Sequence, residues 1–170
     1  MMKKLHAFLL VSSLLGWHAA APAQDAAASY PNQPIKLMVP WPAGGGVDTT
    51  ARQIAQPLSE KLGQPIVIDN KPGAGGNIGT ELAVRAPADG YTLLMGSISP
   101  NAINVHLYSK LPFDVIKDFA PIVFVSSVPN ILVVPANSAA NSVADLIAMA
   151  KANPGKLNYG SGGVGSSQHL

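Results

Sequence analysis

A parallel α/β fold is the class this sequence predicts, on three observations. Short apolar runs alternate along the chain with segments of helical apolar spacing. Glycine-rich turns sit at the ends of those runs. Each turn leads toward a helical pattern instead of a second strand of a hairpin. Strand–turn–helix units in series place helices on the faces of a parallel sheet, and 170 residues are enough to bury a core beneath them.

The elements follow in order. Lys3-Lys4, the apolar stretch Leu5 to Trp17 and the small residues Ala21-Pro22-Ala23 have the three-part layout of a secretory signal peptide. The stretch is shorter than the ~20 residues a membrane anchor needs. Residues 1–23 are therefore expected to be a leader cut near Ala23, with Ala26-Ala27-Ala28 as a second possible site. Ile35–Val39 reads as a buried strand, Pro40 to Val47 as a turn, and Asp48 as the N-cap of a helix. Ala51, Ile54, Ala55, Leu58 and Leu62 form its apolar stripe, which continues past a kink expected at Pro57, and Gly63 closes it.

The unit then repeats. Ile66–Asp69 is a strand, Lys71 to Gly76 a turn, and Asn77 to about Arg85 a helix. Tyr91–Met95 is the next strand, while Ile122–Val125 and Ile131–Val134 are two further buried runs, a candidate crossing between lobes. Ser142 and Asp145 have capping-box spacing and open a helix to about Asn153. Leu157–Tyr159 is expected as a strand before a third turn, Gly160 to Gly165.

Composition excludes several classes. Without cysteine there is no disulfide framework, thiol nucleophile or Cys–zinc site. Of 11 Lys and Arg, Lys3 and Lys4 fall in the leader, leaving nine bases against nine acids. No basic run occurs, so nucleic acid is not an expected partner. No catalytic constellation stands out, and no cofactor is called for. The chain reads as a binder, not an enzyme.

The three turns carry the chemistry. Glycine admits positive φ and close approach to backbone N–H groups. A helix start adds unpaired N–H groups and a partial positive charge. Together they make an anion site without Lys or Arg. Trp41 is placed to wall such a site, and His169, after Ser166-Ser167-Gln168, to stand near it. His106 is expected on the surface and Lys71 in solvent. A second reading rests on Gly160–Gly165, which matches the G-x-G-x-x-G dinucleotide pattern and would point to a nucleotide- or phosphosugar-using enzyme.

Pro40-Trp41-Pro42-Ala43-Gly44-Gly45-Gly46-Val47-Asp48 with Ala51-Arg52 resembles the first signature of the tripartite tricarboxylate transporter receptors, also called Bug receptors. Asn70-Lys71-Pro72-Gly73-Ala74-Gly75-Gly76-Asn77-Ile78-Gly79 is similar to their second. Ala86 to Leu94 and Asn158 to Leu170 resemble two later stretches, so the likeness runs from about Tyr30 to the end.

The resemblance implies a periplasmic Venus-flytrap receptor of two α/β lobes, here residues 30–126 and a truncated second lobe, 127–170. It implies capture of a small carboxylate, with delivery to membrane permease subunits by a monomeric receptor. A receptor feeding a signalling sensor is the variant reading. The implied ligand-binding residues are Trp41, Ala43, Gly44, Gly45, Gly46 and Asp48 in the first turn. Asn70, Gly73, Ala74, Gly75, Gly76 and Asn77 belong to the second. Ser161, Gly162, Gly165, Ser166 and His169 belong to the third.

Overall fold

The structure, a computed structural model, describes residues 29–170; the expected leader and its cleavage site lie outside the described residues. At the centre is β1 (Ile35–Val39), flanked by β2 (Ile66–Asn70) on one side and β3 (Thr92–Leu94) on the other, in the order β2-β1-β3. Both pairings are parallel. Ile35 stands opposite Ile66 and Val39 opposite Asn70, while Lys36 to Met38 face Thr92 to Leu94. A strand with neighbours on both edges and cover on both faces must be apolar nearly throughout. Ile35, Leu37, Met38 and Val39 are accordingly buried.

Helix α1 (Gly46–Leu62) lies against β1 and β2. Ala51 and Ala55 are its buried contacts, small enough to let the helix approach the sheet. Leu37, Val39, Ala51 and Met95 form the core cluster, and Trp41, Ile54, Ile68 and Leu93 pack around it. The helix runs on through Pro57, which leaves the Gln53 carbonyl without its usual donor. Gly63 ends it in the left-handed conformation, donating its N–H to the Ser59 carbonyl at 2.9 Å.

A second crossover follows β2. A single 3-10 turn, Ala74–Gly76, feeds α2 (Asn77–Val84), which packs on β1 and β3. After β3, a π-helical segment, Ser99–Ile103, runs into the short α3 (Asn104–Leu107). Further on, α4 (Val143–Ala152) begins where its capping residues predict. Asp145 donates its N–H to Ser142 Oγ at 3.1 Å, and its carboxylate accepts from the Asn141 N–H, one residue outside the usual box.

One expected strand, 157–159, is not formed, and the two runs expected to be buried are exposed. Residues 122–125, 131–134 and 157–159 have no ladder partner, and Phe124 is 80% exposed. An apolar run becomes a strand only when another strand takes up its N–H and C=O groups, and these segments pair with neither outer strand of the described sheet.

Replacing Leu37 by Ala should cost about 2–5 kcal/mol in urea unfolding, since its contacts lie in the core cluster. Val67 is half exposed on β2, and Val67→Ala should cost less than about 1 kcal/mol.

Candidate functional site

The first turn is built around a buried carboxylate. Helix α1 begins at Gly46 with Gly45 as its N-cap, so Asp48 is not the N-cap but the third helical residue. From there its side chain turns back: Oδ2 accepts the Gly44 N–H at 2.7 Å and Arg52 Nε at 2.9 Å. Oδ1 accepts Asn70 Nδ2 at 2.9 Å, and the same Nδ2 lies 3.0 Å from the Trp41 carbonyl. Asp48 is 1% exposed, and both of its oxygens are engaged. The bond from Arg52, then those from Gly44 and Asn70, holds its carboxyl well below the usual carboxylate range. No side chain caps the helix, so its first N–H groups stay available.

Asn70 therefore joins the end of β2 to the first turn. A short step later the chain makes the second turn, where Gly73, Ala74, Gly75 and Gly76 all have positive φ (132°, 47°, 62° and 91°). Three glycines take this at little cost; Ala74, with its Cβ, is strained. The space around Gly75 adds to the demand for glycine. A Cβ there would stand 2.8 Å from the Val164 carbonyl, 3.2 Å from Asn104 Nδ2 and 3.3 Å from the Tyr108 hydroxyl. Helix α2 again starts with no side-chain cap.

The third turn comes to the first two. Gly162, Gly163 and Val164 close a cavity of about 290 Å³ with Trp41, Pro42 and the residues Pro72 to Gly76, and Tyr108 completes its wall. Trp41 is held at the rim by its indole N–H, which donates to Ser97 Oγ at 2.8 Å. A larger groove of about 540 Å³ runs between α1 and β2, past Ala55, Ser59 and Ile66. It includes no glycine turn and no helix start, so it lacks the donors that mark the smaller cavity.

Six of the expected residues line that cavity: Trp41, Gly73, Ala74, Gly75, Gly76 and Gly162. Asp48, Asn70 and Asn77 lie behind it as braces, while Ala43, Gly44, Gly45 and Gly46 form the flanking turn and helix start. Ser161 is exposed and its hydroxyl accepts the Gly163 N–H. Gly165 and Ser166 are buried against Asn104 and beside the turn, and the His169 ring lies 6.4 Å from that of Tyr159. Among the described residues no strand precedes Gly160–Gly165, as one would in a dinucleotide site. His106 is exposed as expected.

Sequence reading missed Ser97, Asn104 and Tyr108. All three come from the segment after β3, which carries no glycine signature. Ser97 and Asn104 stand there among other polar residues, Ser99, Asn101 and His106, with nothing in the sequence to single them out.

The site's polarity comes from backbone. Arg52 is paired with Asp48, and Lys71 Nζ lies 3.1 Å from Asp69. Neither nearby cation is free to neutralise a ligand, so two uncapped helix starts supply the positive potential. What such a site can do is hold an anion by several N–H groups at once.

Comparison with known proteins points the same way. The family model described as the tripartite tricarboxylate transporter family receptor matches residues 50–170. The chain is 42% identical over 153 residues to protein BugT of Bordetella pertussis, covering 89% of this chain and 47% of that one. An R. palustris protein solved with adipate superimposes with a TM-score of 0.77 at 41% identity, over 81% of this chain and 46% of the other. A structure described as a periplasmic transporter gives 0.73 at 37% identity, over 82% and 47%. The chain thus spans less than half the length of the curated relatives it matches.

Asp48→Asn should leave the fold less stable at neutral pH and remove this carboxyl's share of its acid sensitivity. A carboxyl whose folded-state pKa is lowered contributes stability that is complete above its unfolded value of about 3.9 and disappears as pH falls below it. Thermal unfolding between about pH 2 and 7 should therefore show a flatter acid limb in the variant. Gly75→Ala should destabilise by about 1–3 kcal/mol, from left-handed strain and overpacking together, as read by chemical denaturation.

Proposed function

The chain belongs to the tripartite tricarboxylate transporter receptor family, a family of solute-binding receptors and not of enzymes, and on that premise we propose that it captures a small carboxylate. The observation that carries the reading is the convergence of three glycine turns on one cavity of about 290 Å³. Two of those turns open helices with no side-chain cap. A carboxylate has two oxygens and room for about four hydrogen bonds. The N–H groups of Ala74 and Gly75 on the cavity wall, with those of the flanking α1 start, would meet that demand without a desolvated lysine or arginine; those of Gly76, Asn77 and Ile78 are taken by the Gly73 and Ala74 carbonyls.

In this reading the first and second turns grip the carboxylate, and Trp41 and Tyr108 wall the apolar part of the ligand. The third turn closes on it from the second lobe, which begins near residue 127. Gly44, Gly45 and Gly46 present their helix start, while Asp48 serves indirectly, by holding the turn in shape. The receptor works in the periplasm after removal of a leader near Ala23, as a monomer that hands its ligand to membrane permease subunits. The adipate held by the R. palustris relative supports a dicarboxylate as the first ligand to try.

Titration calorimetry of the chain with adipate, malate, citrate and acetate tests the capture, with NAD as the counter-ligand. Saturable one-to-one heat with a di- or tricarboxylate and none with NAD is the expected result. Binding of NAD with no response to any carboxylate would overturn the reading in favour of a nucleotide site. Delivery is tested separately, by uptake of labelled ligand into cells with and without the receptor.

A further inference from the structure

Asn104 is fully buried, at the first position of α3, behind the second turn. Its Nδ2 has two acceptors within reach: the Gly75 carbonyl at 3.0 Å and Asn77 Oδ1 at 2.7 Å. A primary amide has two N–H groups, so both are used. Its Oδ1 is buried without a donor and looks toward Gly165, where a Cβ would come within 2.7 Å of it. Burying an unsatisfied carbonyl is unfavourable, a cost that leucine or valine at this position would not carry.

Both of its acceptors belong to the second turn and the helix that it opens. The Gly75–Gly76 peptide lies in a run of left-handed residues, and its carbonyl is drawn to Asn104 while the Gly76 N–H donates to Gly73 at 3.0 Å. Asn77 is buried at the start of α2, and its oxygen is taken by Asn104. The end of the Asn77 carboxamide without a hydrogen bond is then its NH2, a donor.

We propose that Asn104 is the positioning residue that sets the polarity of this site. By binding the Gly75 carbonyl and Asn77 Oδ1, it withdraws two acceptors and leaves the Asn77 NH2, with the Ala74 and Gly75 N–H groups, as the donors of the second turn, the N–H groups of Gly76, Asn77 and Ile78 being bonded within it. Preference for a charged carboxylate over a neutral isostere is the functional consequence. The inference deepens the carboxylate reading and rests on it.

Two measurements test it. Hydrogen exchange of side-chain amides, followed by NMR on the ligand-free chain, should show slow Asn104 NH2 protons and fast Asn77 NH2 protons. The reverse order would overturn the proposal before any ligand is added. In Asn104→Asp, the new carboxylate accepts but does not donate, so the Asn77 amide turns over and its NH2 becomes protected. Asn104→Leu removes the donors without adding charge, and separates polarity from simple repulsion.

Calorimetry then compares adipate with adipamide, its neutral diamide. The unsubstituted chain should favour adipate, and each variant should lose at least tenfold of that preference. A folded variant that keeps the preference overturns the positioning role. Failure of the unsubstituted chain to bind adipate or any other carboxylate would overturn the carboxylate reading alone. The exchange rates would still decide which way the Asn77 amide points.

Discussion

Parallel pairing of β1 with β2 is the constraint on which the site depends. Because the strands run the same way and Val39 stands opposite Asn70, both chains leave the sheet at one edge and at one level. Each must then cross to a helix. The two turns, and the two helix starts behind them, are thereby placed side by side. An antiparallel pair of the same residues would put the turns at opposite ends of the sheet. Asn70 secures the alignment, since its one Nδ2 reaches the Trp41 carbonyl and Asp48 together.

That geometry explains how a chain with so few charges can offer an anion site. Asp48 is an acid within a site read as binding acids, which would be self-defeating if it faced the ligand. Buried, with both oxygens accepting hydrogen bonds, it braces the turn instead, and Arg52 offsets its charge. The available potential is then that of the helix starts. In the proposed reading such a site recognises the carboxylate group itself. Walls such as Trp41 and Tyr108 are left to sort the remainder of the ligand.

The sequence was legible where chemistry is local. Ile35–Val39 and its helical partner follow from apolar spacing, Gly63 from the need for a left-handed terminus, and the start of α4 from Ser142 and Asp145. Asp48 stands three positions inside the helix from the N-cap place expected for it. The sequence shows that an acid belongs in a first helical turn, but not whether it caps the helix or reaches back to a loop. The runs at 122–125 and 131–134, expected to be buried, are exposed for a related reason: apolar character records what a segment would gain from cover, not the presence of a neighbour that covers it.

The sequence by itself determined the fold class, the family and the position of each glycine turn, because positive φ, apolar period and capping are properties of a few adjacent residues. Only the tertiary structure decided which turns share a cavity, and that Ser97, Asn104 and Tyr108 stand among them. These contacts join residues 27 to 56 positions apart in the chain. No periodicity spans such distances; parallel strand order and close packing at Gly75 bring them together.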